Sequence, residues 1–342
     1  MRFFITGHTG FKGTWLCRML IGAGHEVTGY ALAPVGDSPD GRSFFDMADV
    51  KDHMHSFTGD VRDGEALYRA MAEAQPEIVI HMAAQPLVRE SYARPVYTYE
   101  TNVMGTVNML DAVRRLSCVK SVVNVTTDKV YDNIEKKRGY VETDRLDGYD
   151  PYSNSKSCSE LVTHAYQRSF LGDAGVAVST VRAGNVIGGG DFAKDRIVPD
   201  CARAAMKGET IVVRSPHSIR PFQFVLEPLR VYTELAIRQI TEPELAGNYN
   251  VGPELSDCVT VGELTDMWVK AWGDGAAWEA QAVGGPHEAG LLMLDCTKVK
   301  EKLGWQPHSN IREAVRLSAE WYKTYASGGD IPALMDRQIA EK

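Results

Sequence analysis

No run of about 18 apolar residues occurs in this sequence, so no helix is long enough to span a membrane. Cysteine is scarce and scattered. Cys17, Cys118, Cys158, Cys201, Cys258 and Cys296 show neither a C-x-x-C spacing nor a cysteine–histidine cluster. No zinc site is therefore expected, and free thiols fit a reducing cytoplasm. Positive charge is not in excess. The formal net charge of -8 argues against a nucleic-acid surface, and an anionic ligand would need arginines placed locally. Internal repeats and low-complexity segments are missing too. The first strand-like run starts at the initiator Met, and the expectation is a chain without a signal peptide.

What is present has the balance of a globular chain. The 342 residues are 44% hydrophobic and 24% charged, enough for about two domains or one large one. Through the first half, strand-like runs alternate with helical stretches. Arg2 to Thr6 reads as a buried strand. Phe11 to Ala23 reads as a helix with Phe11, Trp15, Leu16, Met19 and Leu20 on one face and Gly24 as its C-cap. Further strands are expected at Val27 to Leu32, Glu77 to His81, Ser121 to Thr126 and Val176 to Arg182. Helices are expected from about Asn102 to Leu116 and from Ser155 to Phe170. Such alternation implies crossover units and a parallel sheet covered on both faces.

After about Gly184 the pattern changes. Gly188-Gly189-Gly190 reads as a flexible hinge or loop, and Pro199, Pro216, Pro221 and Pro228 follow. A short strand is expected at Thr210 to Val213. Thr260 should cap a helix from Val261 to Trp272, and a last helix should run from about Ile311 to Tyr325. This half reads as a smaller, mixed lobe on the end of the sheet.

Three motifs carry chemistry. The first is Gly7-His-Thr-Gly10-Phe-Lys-Gly13, between the first strand and the first helix. Glycine is needed where a turn is tight and where backbone must approach a pyrophosphate; the helix N-terminus then offers free N–H groups to the phosphates. With 31 glycines, such spacing arises by chance in roughly a quarter of chains, so the strand–turn–helix placement carries the weight. The acid that usually follows the second strand is missing from Gly29-Tyr30-Ala31-Leu32-Ala33, which leaves NAD against NADP open. Arg42 faces either a 2′-phosphate or solvent. Asp60, in Gly59-Asp-Val61-Arg62, bonds the adenine amine or caps the next helix.

The second motif is Tyr152-Ser-Asn-Ser-Lys156. A lysine ammonium beside a phenol lowers its pKa, and such a tyrosine can act as general base towards a sugar hydroxyl. The third is Thr126-Thr127-Asp128-Lys129, at the C-terminal end of a central strand, where open parallel sheets bind ligands. Oxidation needs only the hydroxyl and the tyrosine, and an added carboxylate–amine pair suggests an elimination. A turn with an Asp128–Lys129 salt bridge is the plain alternative. His81, at the end of a strand, reads as a packed core histidine.

In this order the motifs resemble the extended short-chain dehydrogenase/reductase family of nucleotide-sugar enzymes, over nearly the whole chain. Thr101-Asn102-Val-Met-Gly105-Thr106 and Leu303-Gly304-Trp305-Gln-Pro307 look like two more of its segments. Asp128-Lys129, where most of its sugar dehydratases carry Asp-Glu, resembles the CDP-glucose 4,6-dehydratase branch. So do Arg182-Ala-Gly-Asn-Val-Ile-Gly-Gly-Gly-Asp191 and Ile219-Arg-Pro221 with Val225-Leu-Glu-Pro228.

The resemblance implies an α/β fold: a Rossmann-type doubly wound parallel sheet over residues 1–186 and about 222–250, with a smaller mixed α/β substrate lobe over about 187–221 and 251–330. It implies a hydro-lyase cycle on a nucleotide-diphosphate sugar, with a 4-epimerase or related sugar dehydrogenase as the alternative. Thr127, Asp128, Lys129, Tyr152 and Lys156 would be catalytic. NAD would lie on Gly7, Thr9, Gly10, Phe11, Lys12, Gly13, Asp60, Val61, Ala83, Ala84, Asn102, Thr126, Tyr152 and Lys156. Gln85, Asn185, Arg196 and Arg220 would meet the substrate, the last three at its diphosphate. Phe222 and Phe224 depart from the family's Trp and His after Arg-Pro, which leaves the base contact open. A homodimer through the helices at about 102–116 and 155–170, in the cytoplasm, completes the expectation.

Overall fold

The computed structural model describes residues 1–136, 138–281 and 290–341; the 282–289 part of the expected lobe lies outside the described residues. Seven parallel strands make the central sheet: β1 (Arg2–Thr6), β2 (Glu26–Ala31), β3 (His55–Thr58), β4 (Ile78–His81), β5 (Ser121–Val125), β6 (Ala177–Ala183) and β7 (Asn248–Val251). Their order is β7-β6-β5-β4-β1-β2-β3, so the winding reverses between β1 and β4. In an open sheet that switch point leaves a crevice at the carboxyl ends of the strands.

Alternation along each strand divides its side chains between two cores. Phe3 and Ile5 of β1, with Ile78 and Ile80 of β4, face one side; Phe4 and Val79 face the other. Helix α1 (Phe11–Gly22) covers the first side with Trp15, Leu16 and Leu20. On the second, α2 (Gly64–Ala74) contributes Leu67 and Met71, and α3 (Gly105–Arg114) contributes Met109, Leu110 and Val113. Helix α4 (Pro151–Tyr166) lies beside α3. Helix α5 (Ile197–Lys207) follows β6 in the chain. Helix α6 (Leu226–Arg238) returns to the sheet and packs on β4 and β5. Helices α7 (Val261–Trp272) and α8 (Ile311–Ala326) pack on each other, and α9 (Ile331–Ala340) lies on α1.

Several boundaries differ from the pattern reading, each for a local reason. Helix α4 starts four residues before Ser155, because Asp150 accepts a hydrogen bond from the Ser153 amide at 3.0 Å and Pro151 fills the first helical position. The path into α3 is already helical at Pro95–Tyr99 and passes through a π turn, Glu100–Met104. Asp60 does not cap α2. Asp63 does, accepting from the Ala66 amide at 3.0 Å. Thr260 caps α7 as expected, in a reciprocal box with Glu263.

The glycine triplet is a packed joint rather than a flexible hinge. A Cβ on Gly189 would fall 1.8 Å from the Trp321 ring, and one on Gly190 would fall 2.4 Å from Phe44. The Trp15 indole donates to the Gly189 carbonyl at 2.9 Å. Glycine lets α8 close against the sheet domain.

Candidate active site

The first glycine turn sits at the switch point. Gly7 adopts φ +77°, and a Cβ there would fall 2.8 Å from the Ala83 amide nitrogen; one on Gly13 would fall 2.2 Å from the Gly7 carbonyl oxygen. Helix α1 opens at Gly10 with no side-chain cap, so its first amides keep their donors free. Thr9 ties the turn to the end of β2 through the Leu32 carbonyl at 3.1 Å. This open N-terminus with close glycine backbone fits a dinucleotide pyrophosphate. Phe11 approaches Gly188, and Val61 is buried against Gly105.

The other functional groups arrive from three elements around β5. After β5 the chain turns through Thr126 into a 3₁₀ turn, Asp128–Val130, capped by Thr127. The Thr127 hydroxyl donates to Asp128 Oδ1 at 3.0 Å. From the loop after β6, the Asn185 amide donates to Asp128 Oδ2 at 3.0 Å. Asp128 is 1% exposed, so a carboxylate with both oxygens engaged is held at the sheet edge. Lys129 is half-buried. From the first turn of α4, the Tyr152 hydroxyl comes close enough to the Thr127 hydroxyl to feel it.

Burial dominates the electrostatics here. Burial pushes the Tyr152 phenol up to about 12, and the neighbouring Thr127 hydroxyl and the charge of Arg196 act the other way. Lys156 donates to the Val125 carbonyl at 3.0 Å. Burial, then the nearby Lys12, bring it down to about 7. Arg196 is a cation that favours the Tyr152 phenolate. Lys12 reaches inward from α1. Burial and Arg196 lower it to about 8, against the pull of Asp128. These mutual influences put the glycine turn, Tyr152, Lys156 and Asp128 in one cluster.

Other expected residues take structural partners. Asn102 holds Gln85 in place: its Oδ1 accepts from the Gln85 amide at 2.8 Å, and its Nδ2 donates to the Gln85 carbonyl and to Ser155. The Gln85 side chain meets Leu87 and Thr98, so no donor is left for a sugar. Asp60 is paired with Arg62 at 2.7 Å, and Arg42 is paired with Asp40 on an exposed loop. Ala83 donates its amide to Thr6, and Ala84 is half-buried in the same turn. Arg196 bonds Asp191 at 2.9 Å. Arg220 donates to the Ile219 carbonyl within the lobe. Phe222 and Phe224 are core residues, Phe224 edge-on to Trp15. His81 is buried against Thr6 at 2.7 Å, and desolvation lowers it to about 3.

A buried ion pair lies outside all three motifs. Glu160 and Arg182 form a bidentate contact at 3.0 and 2.9 Å. Thr126 donates to Glu160 at 2.5 Å, and Arg182 donates to the Tyr131 hydroxyl at 2.8 Å. The pair therefore grips both ends of the segment carrying Thr127, Asp128 and Lys129. Two signals in the sequence mark it. Glu160 continues the Tyr152, Lys156 face by one more i+4 step, and Arg182 is a lone charge in a strand buried throughout.

Comparison with known proteins agrees with this geometry. The chain is 47% identical to the CDP-glucose 4,6-dehydratase of Salmonella typhimurium, covering 99% of this chain and 95% of the relative. It is 25% identical to dTDP-glucose 4,6-dehydratase 1 of Escherichia coli, over 94% of this chain and 92% of that one. Among solved structures, Thermus thermophilus UDP-glucose 4-epimerase, a complex with NAD, superposes with a TM-score of 0.80 at 25% identity, covering 94% of this chain and 99% of that one. The Bacillus anthracis dTDP-glucose 4,6-dehydratase shares the fold, with a TM-score of 0.81 at 19% identity, covering 96% and 98% of the two chains. Residues 4–318 match the family described as GDP-mannose 4,6 dehydratase, and the chain belongs to that family.

Proposed function

We propose that this chain is an NAD-dependent nucleotide-sugar 4,6-dehydratase that converts CDP-glucose to CDP-4-keto-6-deoxyglucose. One observation carries the reading: the buried carboxylate of Asp128 stands beside Thr127 and Tyr152 at the crevice that begins with the Gly7 turn. The exposed Arg42–Asp40 pair leaves no ready partner for a 2′-phosphate there, which favours NAD. When bound, NAD supplies a reversible hydride transfer, from sugar C4 at the start and to C6 at the end.

The chain's own groups move the protons. Tyr152 takes the proton of the 4-hydroxyl while Thr127 bonds the same oxygen. Arg196 favours the phenolate. Lys156, near its midpoint at neutral pH, can hold or release a proton beside them. The 4-ketone acidifies the C5 hydrogen. Asp128 and Lys129 then divide two tasks, removing that proton and protonating the departing 6-hydroxyl, so water leaves across C5 and C6. A proton returns to C5 as C6 is reduced, and the cofactor ends as it began. Asn185, Arg196 and Arg220 are the residues first expected at the diphosphate; of these, Arg196 combines cationic charge with a place beside Tyr152 and Lys12.

The molecule acts as a homodimer in the cytoplasm. Val96, Met104, Leu161 and Phe170 are exposed apolar side chains along the helical path into α3 and along α4 and its final turn, which suits a two-helix interface. All six cysteines are free. The test is incubation with CDP-glucose in deuterated water, followed by NMR. A 4-keto-6-deoxy product with deuterium at C5 is expected, and an unlabelled C4 epimer would replace this reading with an epimerase. Asp128→Asn should slow product formation about 100-fold with cofactor affinity unchanged.

A further inference from the structure

The amide of Asn185 donates to a carboxylate. Its Nδ2 donates to Asp128 Oδ2 at 3.0 Å, while Thr127 holds Oδ1 at the same distance. The backbone of Asn185 is left-handed, φ +48°, a region that side chains other than glycine rarely adopt and that asparagine tolerates best. Such strain persists only where the surroundings over-determine it. Here they do. The Gln223 amide donates to the Asn185 carbonyl at 3.2 Å, and the Gln223 side chain donates to the carbonyls of Gly184 and Val251 at 3.3 and 2.8 Å. Gln223 is 3% exposed and lies on a two-residue strand that pairs with Val186–Ile187.

Gly184 adds an independent observation. A Cβ on Gly184 would fall 1.9 Å from the Asp128 carboxyl group, so the chain leaves that volume empty for the carboxylate. A glycine, a left-handed asparagine and a buried glutamine that pins both thus converge on one side chain.

We propose that Asn185 is a positioning residue for Asp128: with Thr127 and the Gly184 backbone it fixes the carboxylate's orientation for the elimination step. This rests on the dehydratase reading above and differs from the phosphate contact expected of Asn185 from sequence. Lys12 from α1 and Tyr152 from α4 face the same group, with Lys129 next in sequence.

The decisive variant is Asn185→Gly, which relaxes the left-handed backbone and deletes only the amide. Stopped-flow absorbance of the reduced cofactor separates C4 oxidation from the elimination and the hydride return. The expected result is an unchanged oxidation rate, product formation slowed at least 10-fold, reduced cofactor accumulating, and KM for CDP-glucose within 2-fold. Gly184→Ala, which displaces the carboxylate but keeps the amide, should show the same split. A raised KM with unchanged kcat in Asn185→Gly would assign the amide to substrate instead and overturn the proposal. Native rates in Asn185→Gly would do the same. If the unsubstituted enzyme forms no 4-keto-6-deoxy product, the dehydratase reading fails, an outcome seen before any variant is made.

Discussion

Two sets of buried charge lie side by side in this molecule and are built on contrasting plans. Beneath the sheet edge, the Glu160 carboxylate accepts from Thr126, Thr180 and two nitrogens of Arg182. The remaining Arg182 nitrogen meets the Tyr131 hydroxyl and the Glu142 carbonyl. Every strong donor and acceptor is answered, the carboxyl is held below its usual range, and the guanidinium is pushed up. One turn earlier on α4, Lys156 has a single carbonyl partner, and burial and the like charge of Lys12 outweigh the pull of Glu160. Compensation yields a permanently ionised scaffold. Where burial outweighs the available partners, the same helix carries a lysine that titrates near neutrality, where proton transfer is most efficient.

The contrast can be broken at either end. Tyr152→Phe removes the proton acceptor from the uncompensated set and should have the largest effect, a loss of turnover of about 1,000-fold or more. Its melting temperature should stay near that of the parent, because only a hydroxyl is lost from a site not built for stability. Steady-state rates with thermal denaturation check both halves, and a variant that turns over normally would remove Tyr152 from its role. Arg182→Leu attacks the compensated set. It strands Glu160 in the interior and should cost about 3–5 kcal/mol in urea unfolding, since one partner of a buried pair is harder to lose than both. Arg182→Leu combined with Glu160→Leu should recover part of that loss. If the single and double variants are equally unstable, the pair is not the compensated unit described here.

The same contrast explains what the sequence made legible. Strands and their alternation were readable because Phe3, Phe4 and Ile5 must divide between two cores whatever the tertiary detail. The glycine turn and the Tyr152–Lys156 spacing were readable because their chemistry lies within a few residues. Long-range pairing was not. Asn185 carries no mark in sequence that directs it to Asp128 rather than to a phosphate, and Gln85 and Asn102 find each other across a gap set by the fold. The glycine triplet reads as a hinge until Trp321 and Phe44, distant in sequence, are seen to need its space. Nor does spacing alone reveal that burial lowers Lys156 itself to about 7.

Replacing Lys156 itself gives the smallest and most diagnostic effect, a gain in stability. In the folded chain it titrates at about 7, against an ordinary value of 10.5. Below about 7 the native state carries the ammonium at its full desolvation cost. Between there and 10.5 the unfolded chain holds a proton that the native chain has released, so the cost declines as pH rises, and above 10.5 both states are neutral and it vanishes. Each tenfold change in proton affinity is worth about 1.4 kcal/mol. Met at this position keeps most of the volume, removes the charge and abandons one hydrogen bond to Val125, so Lys156→Met should be inactive yet more stable by about 1–3 kcal/mol near pH 6.5. The gain should shrink steadily as pH approaches 10. Urea midpoints at three pH values measure it. A gain that does not depend on pH would trace to packing rather than charge, and a loss would mean that Lys156 belongs with Arg182 among the compensated groups.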